Sequence, residues 1–227
     1  LYKREKIAYD IIFLLSSLAG ALIVLSAPGN IVRMNAEVYN WMPFFNDMSV
    51  LQKLSIGIDR VSNDMNTQGN VILIVLSILI IINTAMRGKL DTSDIIIVSV
   101  MSFKMITMMY SYYPDRTMIS EFYSRKYIQG INWFDIKFYF GYFINMIYVS
   151  SLIIYISKSL CCEREKVSCL IILACGVLSG IMIGMSPTAY ESGTRVMYLM
   201  NLSFAMITCF AFSETLKTSK IIKLSYS

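Results

Sequence analysis

Long apolar blocks, each of roughly 20 residues, alternate with short charged segments along this chain. A membrane-crossing helix needs about 20 mostly apolar residues, and helices of a soluble bundle would need polar faces that these blocks lack. The pattern therefore predicts an all-α, polytopic integral membrane helical bundle. We place about six transmembrane helices at residues 7–26, 70–84, 95–113, 136–157, 167–185 and 196–212.

The composition supports a bilayer as the solvent. Charged residues make up 15% of the 227 residues, whereas soluble domains carry about 25%. The chain has no histidine, which excludes histidine general bases and Ser-His-Asp triads. It has no nucleic-acid motif and no long basic run, so the net charge of +5 is read as a topology signal.

Basic residues gather in four short segments, before the first predicted span, between spans two and three, between four and five, and after span six. The positive-inside rule places such segments, and therefore both ends of this chain, in the cytoplasm. The eleven residues are Lys3, Arg4, Lys6, Arg87, Lys89, Lys158, Arg164, Lys166, Lys217, Lys220 and Lys223. Loops 27–69, 114–135 and 186–195 then face outward. We read residues 1–227 as a single transmembrane domain.

Two features of these loops favour contact with membrane lipids. In the first loop, Ser49 and Gln52 have the spacing of a capping box. After them, apolar residues recur on one side of a helix and polar residues on the other, which predicts an amphipathic helix lying in the outer interface. The apolar set is Val50, Leu51, Leu54, Ile58, Val61 and Met65, and the polar set is Lys53, Asp59, Arg60 and Asn63. The second loop carries aromatic residues typical of an interfacial belt: Phe122, Tyr123, Tyr127, Trp133 and Phe134.

Three outer segments each combine a proline with an arginine two to eight residues later: residues 26–33, 112–116 and 186–195. In the first, Pro28 ends a helix and Gly29 permits a tight turn. Asn30 is expected to cap a new helix, with Arg33 in its first turn. Free backbone N–H groups and a guanidinium form an anion site.

Arginines from all three segments, if they converge, suit a phosphate or pyrophosphate: Arg33, Arg116 and Arg195. The alternative is that proline and arginine are common at membrane-helix ends, where arginine reaches the headgroups. Asp115 and Glu191 lie close to motif arginines and are catalytic candidates, although each could simply pair with its neighbouring arginine. The catalytic residue is therefore unknown, and no metal site is predicted.

Lys104 lies near the middle of the third predicted span. A charge at that depth costs about 2.5–3.5 kcal/mol on insertion scales. We expect Lys104 to face the bundle interior or water, where it could pair with a carboxylate or join an anion site. The alternative is a shallow or tilted span from which Lys104 extends to the interface.

The stretch Ala27-Pro28-Gly29-Asn30-x-x-Arg33, with Ser186-Pro187 followed by Arg195, resembles a bacterial family of polytopic membrane proteins known as domain of unknown function 6056. It is also similar to serotype-type glucosyltransferases and other membrane glycosyltransferases with the GT-C fold. The resemblance implies a polyprenyl-phosphate-linked sugar as substrate, with the three arginines on its phosphate, and leaves a divalent cation open. It also implies that this chain is the C-terminal part of a larger membrane protein.

The expected function is accordingly GT-C-type glycosyl transfer in a bacterial plasma membrane, serving cell-surface polysaccharide or glycan modification. A lipid-linked saccharide flippase or small transporter is the first alternative. Lys104 and the broken helix ends favour it, while the lack of an inverted repeat counts against it. A non-catalytic membrane assembly subunit is the second alternative.

Overall fold

The computed structural model describes residues 15–16, 19, 28–67, 70–87, 90–109, 134, 136–159, 163–190 and 197–225. Every regular element in these ranges is helical. The chain divides into two compact units, Leu1–Met48 and Ser49–Ser227.

The first unit contains helix α1, Pro28–Trp41, and a short 3-10 turn, Phe45–Asp47. Pro28 fits the first turn of a helix because the N–H that it lacks would have no partner there. The backbone is therefore already helical at Gly29 and Asn30, so Asn30 is not the cap that the sequence suggested. Arg33 lies in the second turn of α1. The first predicted span, residues 7–26, lies almost entirely outside the described residues.

The second unit contains six helices among the described residues: α2 (Val50–Asn66), α3 (Val71–Met86), α4 (Thr92–Met109), α5 (Ile136–Ser159), α6 (Glu163–Met182) and α7 (Tyr198–Ser225). A 3-10 turn, Ile183–Met185, continues α6. Four of them, α4 to α7, are long and apolar enough to cross a membrane. Helices α2 and α3 meet at a bend of 67° and make a fifth crossing if they form one span. The predicted all-α polytopic membrane bundle is confirmed.

The bundle turns large apolar side chains both inward and outward. Helix α3 packs against α4 and α7, α6 packs against α2 and α7, and α5 packs against α2, α4 and α6. The interior holds Leu73, Leu76, Ile97, Met101, Tyr148, Leu152 and Phe204, and the exposed outer faces carry Ile95, Phe103, Phe143, Ile171 and Leu178. Because apolar side chains are stable against lipid, this distribution is the one expected of helices within a bilayer.

The ends of the spans agree with the sequence at most points. The α6 segment ends at Met185, directly before Ser186 and Pro187, as predicted. Helix α7 instead continues to Ser225, well past the predicted end at Phe212. Hydropathy marks where a chain leaves the bilayer, and a helix can continue into water beyond that point.

The amphipathic helix is present as α2, and its predicted capping box is confirmed. The Gln52 backbone N–H donates to Ser49 Oγ at 3.3 Å, and the Ser49 N–H donates to Gln52 Oε1 at 2.8 Å. The burial of α2 does not follow the predicted division into an apolar and a polar face. Val50, Leu51 and Ile58 of the apolar set are exposed, whereas Val61 and Met65 of the same set are buried together with polar Asp59.

Candidate functional site

Helix α2 directs a set of polar side chains into the bundle. They recur at helical spacing, so several lie on one face of α2: Asp59, Ser62, Asn63, Asp64 and Asn66. Their partners come from α4, α5, α7 and the turn after α6. Buried polar groups in a membrane bundle are expensive and mark functional sites by default.

Asp59 is fully buried and is held by hydroxyl and amide donors. The Tyr142 hydroxyl of α5 donates to Asp59 Oδ1. The Tyr190 hydroxyl donates to Oδ2 at 3.0 Å, and Asn63 Nδ2 donates to the same oxygen at 3.3 Å. The Arg60 guanidinium lies over the Tyr190 ring, 5.9 Å from its centroid. We call Asp59, Tyr142, Tyr190 and Arg60 the Asp59 cluster.

Tyr190 lies in the turn after the α6 segment, outside the membrane-crossing residues. Burial and the adjacent carboxylate of Asp59 raise the pKa of the Tyr190 hydroxyl well above its usual range. An ordinary tyrosine, with a pKa of about 10, is already protonated at neutral pH. The raised pKa extends the pH range over which Tyr190 remains a hydrogen-bond donor to Asp59.

Lys104 is fully buried, so it faces the interior rather than extending to the interface. Its Nζ donates to Asn66 Oδ1 at 2.7 Å and to Asn145 Oδ1 at 2.6 Å, and it lies 5.9 Å from the centroid of the Tyr148 ring. Asn145 Nδ2 donates in turn to the Ser62 carbonyl at 3.1 Å and to Ser62 Oγ at 2.9 Å. These bonds join α2, α4 and α5.

A third polar group lies at the bend between α2 and α3. Asn201 Nδ2, from α7, donates to Asp64 Oδ2 at 3.1 Å, and Asn201 Oδ1 accepts from Asn70 Nδ2 at 3.2 Å. Asn70 is also the N-cap of α3, where its Oδ1 accepts from the Leu73 N–H at 3.4 Å. A single amide on α7 therefore bonds to both sides of the bend.

An apolar groove of about 440 Å³ runs between α4 and α5. Phe103 and Phe140 meet there edge to face, with ring centroids 6.4 Å apart. The groove is lined by Val100, Phe103, Phe140, Phe143, Ile144 and Ile147, with Ser99 as its polar member. Lys104 and Asn145 are the next residues along the same two helices after Phe103 and Ile144.

The structure describes four of the six predicted anion-site residues. Arg33 is exposed, and its Nε contacts Glu37 Oε1 at 2.7 Å in an i,i+4 ion pair on α1. Gly29 and Asn30 belong to the α1 backbone. Lys104 is the predicted residue that the described part of Ser49–Ser227 places in the polar interior described above. The others lie outside the described residues, so their convergence stays a prediction: Arg116, Arg195, Asp115 and Glu191.

Several interior polar residues were not singled out from the sequence. Asn145 carries a detectable signal, since it is an amide within an otherwise apolar predicted span. Tyr142 and Tyr190 carry none, because tyrosines are common at membrane interfaces. In the described ranges, no three acidic or cysteine side chains are grouped as a metal site would require.

Comparison with known proteins adds no relative. Neither the protein-family models nor the curated proteins nor the solved structures contain a match to this chain.

Proposed function

We propose that this protein acts on a polyprenyl-phosphate-linked sugar in a bacterial plasma membrane, as a membrane glycosyltransferase of the GT-C type. Its product would be a modified cell-surface polysaccharide or glycan. Both chain ends would be cytoplasmic, and the sugar would be handled on the outer side, where the loop containing α2 is predicted to lie.

The observation that carries this proposal is the polar interior beneath α2. Asp59 and Lys104 are both fully buried in a bundle of apolar helices. Carboxylate, amide and tyrosine groups can donate to or accept from the many hydroxyl groups of a sugar. Since such groups are costly in a membrane, a binding role is the simplest reason for their presence.

The groove between α4 and α5 favours a substrate with a lipid chain. Its lining is apolar and aromatic, so it suits a hydrocarbon chain that enters from the bilayer. Lys104 follows Phe103 along α4 but belongs to the buried polar interior and not to the lining of the groove. In this proposal its ammonium group binds the phosphate in exchange for its bonds to Asn66 and Asn145.

Glycosyl transfer in this proposal is a displacement at the anomeric carbon. A carboxylate takes the proton of the attacking acceptor hydroxyl, the new glycosidic bond forms, and the polyprenyl phosphate leaves with the electron pair of the broken bond. Among the described residues Asp59 is our candidate for this carboxylate, because it is buried and oriented by Tyr142 and Tyr190.

The test is glycosyl transfer by the full-length protein in membrane vesicles that contain a radiolabelled polyprenyl-phosphate sugar. Asp59→Asn should lower the rate about a hundredfold or more. The matched control is Asp47→Asn, which changes an exposed carboxylate and should leave the rate unchanged. Activity of Asp59→Asn equal to that of the control would remove Asp59 from the mechanism.

The predicted phosphate clamp is tested in the same assay. Unchanged rates in Arg33→Ala, Arg116→Ala and Arg195→Ala would exclude it.

One observation favours a second function, translocation of a lipid-linked saccharide. Transporters bind their substrates at interrupted helices near the middle of the membrane, and α2 and α3 form a helix pair bent by 67°. The same vesicles separate the two functions. A flippase moves the labelled lipid between leaflets without forming a new glycosidic bond, whereas a glycosyltransferase forms that bond.

A further inference from the structure

A second polar region lies at the far ends of the same helices, away from the interior beneath α2. Arg87 caps the end of α3, and its guanidinium carbon is 5.8 Å from the centroid of the Tyr155 ring on α5. Tyr155 lies about 15 Å further along α5 than Asn145, at about 1.5 Å per helical residue. This region is therefore separate from the candidate site that contains Asp59 and Lys104.

Arg87 differs from the lysines at this end of the bundle. Three lysines each contact a carboxylate oxygen at 2.6–2.7 Å: Lys158, Lys166 and Lys217. Arg87 Nη2 instead donates to a neutral group, Asn83 Oδ1, at 2.9 Å, and no carboxylate of the described residues forms an ion pair with Arg87. The dipole of α3 favours a cation at this helix end, which accounts for the position of Arg87 but supplies no counterion.

Buried hydroxyl groups on α3 and α5 are unsatisfied as well. Tyr155 Oη and Ser159 Oγ, one helical turn apart on α5, lie near each other but complete no hydrogen bond with any described residue. Thr84 Oγ1, one turn before Arg87 on α3, is likewise unbonded. Tyr155, Ser159 and Thr84 are 2%, 7% and 0% exposed. Because buried polar groups are nearly always bonded, three such hydroxyls together with a guanidinium point to a polar ligand.

We propose that Arg87, Tyr155 and Ser159 bind a phosphate group at this end of the bundle. A guanidinium has five N–H donors, of which one is already bonded, and the two hydroxyls add donors from α5. Phosphate oxygens accept several such bonds at once and match the charge of Arg87. The buried carboxylate on α7, Glu214, contacts Lys217 Nζ at 2.6 Å, so a cation offsets its charge.

The depth of the site favours a lipid as the source of that phosphate. The membrane-crossing segment of α5 ends at Ser159, and α3 ends at Met86, directly before Arg87. Lipid phosphates lie at the edge of the hydrocarbon core, where such segments end. An anionic phospholipid headgroup is therefore the expected ligand, and a soluble phosphate compound is the other source of the same chemistry. The proposal does not depend on glycosyl transfer or on the site beneath α2.

Thermal unfolding of the full-length protein tests the role of the charge. The protein is purified in a neutral detergent, stripped of bound lipid, and titrated separately with phosphatidylglycerol and with inorganic phosphate. We expect phosphatidylglycerol to raise the unfolding temperature of the parent protein, and Arg87→Ala to weaken its apparent affinity about tenfold or more. Lys166→Ala is the matched control, because it removes a cation at the same end whose partner is Glu163. It should bind as the parent protein does.

The hydroxyl groups separate a binding role from a structural one. Tyr155→Phe and Ser159→Ala remove groups that no described residue bonds, so the ligand-free protein should unfold at the same or a higher temperature. The affinity for phosphatidylglycerol should nevertheless fall about threefold to tenfold. Tyr148→Phe is the control, because its hydroxyl, also buried on α5, lies 3.2 Å from Ser77 Oγ in a hydrogen bond. It should lower the ligand-free unfolding temperature and leave the affinity unchanged. These variants keep the test valid if Arg87→Ala does not fold.

A response to inorganic phosphate alone, lost in Arg87→Ala, would support the site and assign it to a soluble phosphate compound. Three results would overturn the proposal. In the first, neither ligand raises the unfolding temperature of the parent protein. In the second, Arg87→Ala and Lys166→Ala bind both ligands equally well. In the third, Tyr155→Phe and Ser159→Ala lower the ligand-free unfolding temperature and leave the affinity unchanged, which would mean that the two hydroxyls serve the fold.

Discussion

Gly184 lies so close to Lys53 that a β carbon on Gly184 would be 1.9 Å from the Lys53 carbonyl oxygen. One turn further along α2 a second close approach occurs, and here the glycine lies on α2 and the carbonyl group on α6. A β carbon on Gly57 would be 1.8 Å from the Ile181 carbonyl oxygen. Helix α2 and the end of the α6 segment therefore meet backbone to backbone, which small residues permit in membrane bundles.

Substitution of either glycine should displace α2. Gly57→Ala and Gly184→Ala each insert a carbon against backbone atoms that cannot turn aside, so we expect each to lower stability by about 3 kcal/mol or more. Gly180→Ala is the matched control. Its β carbon would meet Val61 Cγ2 at 2.6 Å and Met200 Sδ at 3.2 Å, which are side-chain atoms that can adjust, so its effect should be smaller. Thermal unfolding in detergent measures the order, and an equal effect of all three would contradict the backbone crossing.

The periodicity of α2 shows what the sequence could and could not predict. The helix and its Ser49–Gln52 capping box follow from spacing alone, and both were predicted. Which side chains are buried was not predictable, because Met65 of the predicted apolar set and Asp59 of the predicted polar set both turn into the bundle. Burial of Asp59 depends on residues far along the chain, Tyr142 and Tyr190, whose hydroxyls bond to it.

From the hydrogen bonds of the Asp59 cluster we predict that Asp59, Tyr142 and Tyr190 are energetically coupled. Tyr142→Phe and Tyr190→Phe each remove a hydroxyl donor from a buried carboxylate, which should lower stability by about 1.5–3 kcal/mol. In the Asp59→Leu background the same changes should have a much smaller effect, because no carboxylate remains to be satisfied. Tyr198→Phe, at a position that is 68% exposed, is the control. Additive effects of the tyrosine and aspartate changes in unfolding experiments would contradict the coupling.

Lys104 is predicted to stabilise the bundle through its two amide partners. Lys104→Met keeps the length of the side chain but leaves Asn66 and Asn145 without their ammonium donor, which should lower stability by about 1–3 kcal/mol for each unsatisfied oxygen. Adding Asn145→Leu to Lys104→Met should recover part of this loss. Lys166→Met, which disrupts an ion pair with the exposed carboxylate of Glu163, is the matched control and should change stability by less than about 1 kcal/mol. A loss no greater than that of the control would argue against an interior Lys104.

The interior of the bundle was predictable only in part. The position of Lys104 within an apolar span is visible in the sequence, and its burial was one of two expected outcomes. Its partners were not visible, since Asn66 is 38 positions away and Asn145 is 41 positions away. Contacts over such separations depend on how helices pack, which short-range spacing does not encode.

The ion pair between Asp91 and Lys158, at the start of α4, leads to a prediction of how stability depends on pH. Asp91 Oδ1 accepts from Lys158 Nζ at 2.6 Å and from the Asp94 N–H at 2.9 Å. The Lys158 ammonium, followed by the Asp94 N–H and the Ser93 hydroxyl, holds the pKa of Asp91 well below its usual range. A carboxyl whose pKa is lower in the folded state contributes stability above its unfolded pKa of about 3.9, and this contribution is lost as pH falls through the folded pKa.

Asp91→Asn isolates that contribution, because asparagine also caps helices well but carries no charge. We expect the variant to unfold at a slightly lower temperature than the parent protein, by the same amount throughout pH 5–8. The difference should shrink only below about pH 4, where Asp91 of the unfolded chain becomes protonated. Thermal unfolding in detergent across this range measures it, with Asp47→Asn as the exposed-carboxylate control. A difference that disappears between pH 8 and pH 5 would show that another group, and not Asp91, controls the pH dependence at this end of the bundle.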